Sequence, residues 1–257
     1  LRRARPDCIL LPFDSAYLHQ TFIEAARQLN IPSVVMLHGL PGIYHRGGCS
    51  QRSDYLLVWG DEIARRFVQA GRRADRIFQV GMPQAAAAPM TAVRRHQAAT
   101  ATVLLLTNPF GNGTVLSAED DAEIYLFAIL DELRRRPNLQ VLLRPHPSES
   151  AAYYQQLVMA RHYDRVKLAA TEPIPDLLSR SDLVIGPIST VLVDALLARV
   201  PVVCVNFGKI TYPAPFDGRW AVPLVTTIHE LRAQLDRLEQ DAFGDQASSI
   251  IDGFCGP

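Results

Sequence analysis

The chain has 257 residues, 48% hydrophobic and 20% charged, with 26 basic and 26 acidic residues and a formal net charge of +0. That composition belongs to a globular protein of one large or two small domains, and its neutrality argues against a nucleic-acid binder, which needs a basic surface. Cys8, Cys49, Cys204 and Cys255 form no Cys-x-x-Cys pair, so a zinc site is not expected and a reducing, cytoplasmic setting fits best.

Pro6 to Pro12 is a short apolar run that reads as a buried strand, with Cys8 as a buried thiol. Tyr17 to Asn30 has helical spacing, with Leu18, Phe22, Ala25, Ala26 and Leu29 on one face. Ser33 to Leu37 is a second strand and runs directly into His38-Gly39-Leu40-Pro41-Gly42. A histidine at the carboxyl end of a parallel strand points into the crevice where such sheets bind ligands. Its ordinary pKa near working pH suits a general base. The other reading of His38 is a ring that simply bonds a loop carbonyl.

Asp54 to Gly60 is a strand, and Asp61 to Ala70 a helix with Ile63, Phe67 and Val68 inward. Arg76 to Pro83 is a strand and turn. Residues 84–100, with four consecutive alanines, read as a linker. Thr102 to Thr107 opens the second half as a central strand. The glycine-containing loop Asn108 to Thr114 follows and puts Asn112 among the candidate ligand contacts, since such loops often meet phosphate. Its spacing matches neither a Walker A loop nor a dinucleotide fingerprint.

A helix is expected over 117–135 and a strand over Leu139 to Leu143, followed by Arg144-Pro145-His146-Pro147-Ser148-Glu149. Two prolines fix the backbone around His146. Arg144 and His146 are thus presented from a rigid turn at a strand end, both able to donate to phosphate oxygens. The helix over 150–162 carries Tyr153, Tyr154 and Leu157 at core spacing.

Ser181 to Asn206 is the most informative stretch. Leu183 to Ile185 is a doubly buried strand, Gly186-Pro187 breaks it, Ser189 or Thr190 caps a helix, and Val202 to Val205 is the next strand. This βαβ unit places the amides and positive dipole of a helix start at the sheet's carboxyl edge. Gly186 would let a ligand approach the backbone, Ser189 and Thr190 would add donors, and Asp194 would accept from a diol such as ribose. The end of the chain continues with Val222 to Val225, an amphipathic helix over 227–240 bearing Leu231, Leu235 and Leu238, and an apolar tail around Ile250 to Phe254 that docks. Strands alternate with helices throughout, so the fold class is α/β with parallel sheets.

His38-Gly39, Arg144-Pro145-His146-Pro147 and Gly186-Pro187-Ile188-Ser189-Thr190 with Asp194, in that order, resemble the GT-B glycosyltransferases of bacterial surface and capsular polysaccharide synthesis. Closest in pattern are the CDP-glycerol glycerophosphotransferases and the Kdo- or sialyltransferases with a His-Pro motif. UDP-GlcNAc 2-epimerases share the fold. The resemblance implies two Rossmann-like domains. These are a partial, acceptor-side domain over 1–83 that lacks its opening strands, the linker 84–100, and a nucleotide-sugar-binding domain over 101–257.

It further implies a metal-independent glycosyltransferase with no cofactor. The donor would be a CMP-, CDP- or UDP-linked sugar, and the acceptor a saccharide or lipid-linked hydroxyl. His38 would be the catalytic base. Arg144 and His146 would hold the donor phosphates, Ser189 and Thr190 would bind phosphate at the helix start, and Asp194 would take the ribose hydroxyls. Arginine runs such as Arg2-Arg3-Ala4-Arg5 and Arg134-Arg135-Arg136 add an expectation of peripheral association with the inner membrane.

Two departures bear on subtype. The teichoic-acid enzymes carry an Asp-Tyr-Ser-Ser-like run where this chain has Gly186 to Thr190, which weighs against CDP-polyol phosphotransfer. Only Asp194 stands on the donor helix. The alternatives are a nucleotide-sugar epimerase, which would draw its acid and base from Asp14, Asp61 or Glu149, and a non-catalytic nucleotide-sugar binder.

Overall fold

A computed structural model describes residues 1–40, 52–83, 100–107, 119–207, 215–240, 242–250 and 254–255. The chain divides into two compact units, Leu1–Ala87 with Ser249–Pro257, and Ala88–Ser248.

The first unit is built on four parallel strands in the order β1-β2-β3-β4: Ile9–Leu11, Ser33–Met36, Tyr55–Val58 and Ile77–Gln79. Helices α1 (Tyr17–Arg27) and α2 (Asp61–Gln69) cross between them. Asp61 and Glu62 in the first turn of α2 suit the positive end of its dipole. Val35, Leu56, Val58, Trp59, Ile63 and Phe67 are fully buried and make the core. The indole N–H of Trp59 donates to the Leu37 carbonyl at 3.1 Å, which ties the carboxyl ends of β2 and β3 together.

Several apolar positions lie differently from expectation. Among the described residues β1 pairs with one strand, β2, and Leu10 is 57% exposed, while Cys8 is an exposed thiol rather than a buried one. Leu18 and Phe22 on α1, and Val68 on α2, are exposed too. Periodicity shows which side of a helix is apolar; it does not supply the element that covers it. The tail also departs from the expected boundary, because Ser249–Pro257 groups with the first unit. There the Phe254 ring meets Trp59 edge-on at 6.1 Å, and the Met82 N–H donates to the Cys255 carbonyl at 3.0 Å.

The second unit holds six parallel strands: β5 (Ala101–Leu106), β6 (Leu139–Arg144), β7 (Val166–Leu168), β8 (Leu183–Gly186), β9 (Val202–Val205) and β10 (Leu224–Val225), in the order β10-β9-β8-β5-β6-β7. Helices α3 (Glu119–Arg134), α4 (Ala151–Ala160), α5 (Ile174–Leu178), α6 (Thr190–Leu197) and α7 (Ile228–Glu239) lie between them, and α8 (Ala247–Ile250) follows. Every residue of β8 and β9 is buried, as helices on both faces require. Val103, Leu105, Leu143, Ile185 and Val203 pack one face of the sheet against Ile129, Leu133, Tyr154, Leu231 and Leu235.

The strand order is that of a doubly wound sheet. The chain starts at β5, steps one way through β6 to β7, then returns to the other side of β5 for β8, β9 and β10. The reversal falls between β5 and β8. In open parallel sheets the ligand crevice lies outside the strand carboxyl ends at this point.

Candidate functional site

Three neighbouring strands, β8, β5 and β6, carry the second unit's candidate residues at their carboxyl ends. β8 ends at Gly186 and leads through Ser189 into α6. Ser189 is the N-cap: its Oγ accepts from the Val191 N–H at 3.2 Å, which leaves its own proton to donate. Gly186 is buried, and a Cβ there would stand 2.8 Å from Leu106 Cβ on β5. The glycine is therefore required by strand-to-strand packing, a reason different from ligand approach. Gly186→Ala is expected to cost about 1–3 kcal/mol through overpacking, read as a lower denaturant midpoint. An unchanged midpoint would remove this reading.

Asp194 lies one turn into α6. It is half-buried, and its carboxylate accepts no hydrogen bond from a described residue. Burial raises its pKa from 3.8 to about 6. An acceptor held in this way is suited to hydroxyl donors from a ligand. Because the folded chain holds this proton more tightly than the unfolded chain, stability falls as pH rises from 3.8 to about 6, then levels off. Asp194→Asn should thus be more stable than the parent at pH 7.5 by about 1–2 kcal/mol, after discounting for partial exposure. Near pH 4 the two should melt together, and equal melting at both pH values would contradict the assignment.

β6 ends at Arg144, and the turn behind it carries His146. Arg144 is committed in part, since Nη1 donates to the carbonyls of Ala169 (2.8 Å) and Ala170 and so ties the end of β7 to β6. Its Nε and Nη2 make no hydrogen bond to a described residue. The His146 ring is oriented by its own turn. The backbone N–H of Ser148 donates to Nδ1 at 3.2 Å, and Ser148 Oγ lies 2.8 Å from the same nitrogen. An N–H can only donate, so Nδ1 presents its lone pair and the ring proton sits on Nε2. His146 is a hydrogen-bond donor at its free edge.

Behind this turn lies a set of contacts that sequence reading missed. Glu149 Oε2 accepts from the His146 backbone N–H at 2.8 Å and from the Thr107 hydroxyl, and Oε1 accepts from the Tyr154 hydroxyl at 2.7 Å. Thr107 Oγ1 is itself 3.1 Å from the His146 N–H. Burial, and then the adjacent Glu149 carboxylate, push the Tyr154 phenol well above its ordinary pKa. Tyr154 is 2% exposed as expected, whereas Tyr153 is 40% exposed.

In the first unit, His38 follows β2. Its Nδ1 lies 2.9 Å from the Pro12 carbonyl oxygen, which can only accept. The proton is therefore on Nδ1 and the lone pair on Nε2. This is the loop-carbonyl bond of a structural histidine, and it also fixes the tautomer a base needs. Phe13 lies beside the ring, with centroids 5.5 Å apart.

Asn112 lies outside the described residues, as do Pro41-Gly42 and most of the stretch 84–100. Among the described residues no group of three His, Cys, Asp or Glu side chains is placed to hold a metal ion, and no helix is long and apolar enough to cross a membrane.

No protein-family model matches the chain, and no curated protein sequence matches it. Solved structures do. The UDP-GlcNAc 2-epimerase from Neisseria meningitidis bound to UDP-GlcNAc aligns at a TM-score of 0.68 and 16% identity, over 98% of this chain and 76% of its own. Anabaena HepE in complex with UDP and glucose aligns at 0.57 and 17% identity, over 97% and 74%. The wall teichoic acid polymerase TagF aligns at 0.57 and 16% identity, over 88% and 64%.

The chain has the GT-B fold. At these identities the likeness extends to the fold alone. Within that GT-B fold, Gly186 and Ser189 follow β8 and His146 follows β6, the two strands on either side of β5 in the second unit, with Asp194 one turn into α6; His38 follows the carboxyl end of β2 in the first.

Proposed function

We propose that the chain is a glycosyltransferase that moves a sugar from a nucleotide-activated donor to a hydroxyl of a surface-polysaccharide acceptor. The observation that carries this is the pair of opposite histidine tautomers. Backbone groups hold His38 with a free Nε2 lone pair and His146 with a free Nε2–H. His38 in the first unit thus offers a proton acceptor and His146 in the second a hydrogen-bond donor, two roles that an inverting glycosyl transfer uses.

In this reading His146 Nε2–H, the Ser189 hydroxyl and the start of α6 face the donor phosphates, with the uncommitted nitrogens of Arg144 adding positive charge. Asp194 accepts from the ribose hydroxyls. The acceptor oxygen forms its bond to the anomeric carbon as the bond from that carbon to the phosphate oxygen breaks. His38 Nε2 takes the acceptor's proton. The negative charge left on the nucleotide meets donors already in place, which is where such sites derive most of their rate. UDP- and CDP-linked donors are the first to test, since solved structures of this fold hold UDP with glucose, UDP-GlcNAc and CDPG.

The epimerase reading needs an acid and a base among Asp14, Asp61 and Glu149, and all three are engaged. Asp14 is 2% exposed and accepts the N–H groups of Arg52 and Ser53 at 2.9 and 3.0 Å. Asp61 accepts from Gln79 at 2.6 Å. Glu149 holds the His146 turn.

The test is product analysis after incubating the chain with UDP-glucose, UDP-GlcNAc and CDP-glycerol, with and without a polysaccharide acceptor. Nucleotide release that depends on acceptor is the expected result. Isomerised donor formed without acceptor would overturn it in favour of an epimerase, and binding without turnover would mark a non-catalytic binder.

A further inference from the structure

The His146 turn is held from behind by a single carboxylate. Glu149 gathers donors from three places: the hydroxyl of Thr107 just past β5, the backbone of the turn after β6, and the hydroxyl of Tyr154 on α4. Thr107 is 5% exposed and Tyr154 2%. The ordinary reason for such a residue before a helix would be capping. That role is already filled, because Ser150 is the N-cap of α4 and its Oγ accepts from the Tyr153 N–H at 3.3 Å. Glu149 instead grips the backbone of His146. With the His146 N–H fixed, the Ser148 N–H two residues on meets Nδ1 of the ring. Glu149 makes no hydrogen bond to the imidazole, but the tautomer depends on the backbone path it holds.

We propose that Glu149 is a positioning residue that, with Thr107 and Tyr154, seats the His146 turn so that the imidazole presents Nε2–H at the carboxyl edge of the sheet. Its functional meaning rests on the reading of His146 as a phosphate-facing group. A carboxylate is suited to the task because it accepts several hydrogen bonds and donates none. Removing it leaves the hydroxyls of Thr107 and Tyr154 to find new partners and the His146 N–H with Thr107 Oγ1 alone, and buried donors without partners are costly.

The test uses the whole chain with 15N-labelled histidine. Long-range proton–nitrogen correlation reports which nitrogen of His146 is protonated, with the signal assigned by its loss in His146→Gln. The expected parent spectrum is the Nε2–H tautomer at neutral pH. In Glu149→Gln and in Thr107→Val the ring should average between tautomers, and UDP affinity should fall about tenfold, with cooperative melting retained. Thr107→Val removes one hydroxyl at nearly constant volume, so it carries the test if Glu149→Gln does not fold. An Nδ1–H tautomer in the parent would overturn the proposal. So would a folded variant of either kind with an unchanged ring signal and unchanged UDP affinity. A parent ring in the Nε2–H form that loosens in both variants while no chain binds UDP supports the positioning role and overturns the transferase reading.

Discussion

His146→Ala is expected to lower turnover by about a hundredfold to a thousandfold, the range seen when one donor to a developing negative charge is lost, and to leave the fold intact. The expectation follows from where the ring sits and how it is held. Its backbone N–H is satisfied by Glu149 and its Nδ1 by Ser148, so the only hydrogen-bonding edge left is Nε2–H. The side chain is partly exposed and absent from the core, so alanine leaves no large cavity and the backbone contacts to Glu149 and Thr107 survive. Initial rates together with a melting curve decide the matter. Near-normal turnover would discard His146 as a phosphate donor, and a collapsed melting midpoint would make it structural.

His38→Gln should reduce kcat by about 10²–10⁴, the usual worth of a positioned proton acceptor, while donor affinity stays within a few fold. Glutamine still offers an N–H to the Pro12 carbonyl, so the loop contact can be kept, but it supplies no basic nitrogen. The split between the two constants is the informative part. A loss of kcat with binding preserved is a transition-state effect, whereas equal losses in both would point to a binding role. Because the substitution leaves Phe13 and the strand end untouched, large changes in melting are not expected.

The α/β class and the positions of the strands were legible in the sequence because strands covered on both faces must be apolar at every position, as in Val184-Ile185 and Val202 to Val205. The cap at Ser189 and the turn at His146 were legible for a similar local reason, a hydroxyl before an apolar helix and prolines around a histidine. What was not legible is set by partners distant in the chain. The short run around Cys8 reads the same whether a strand has one neighbour or two, and among the described residues β1 has one. Gly186 has its packing reason in Leu106, on the adjacent strand. The tautomer of His38 is decided by Pro12, 26 residues away, and the role of Glu149 by Thr107, 42 residues away. No spacing within a motif encodes such contacts. Glu149 entered the sequence reading only as a spare acid, and its neighbours Thr107 and Tyr154 entered as a strand end and a core aromatic.

The edge of β8, β5 and β6 as a nucleotide-phosphate site is tested most directly by melting the chain against CMP, CDP, UDP and GDP, alongside His146→Ala. A ligand that binds only the folded state stabilises in proportion to the logarithm of its concentration over Kd, about 2.7 kcal/mol at a hundredfold excess over Kd. At least one pyrimidine nucleotide should raise the midpoint with that dependence in the parent, and the rise should shrink in the variant. Four flat titrations, or a rise of equal size in both chains, would contradict the site.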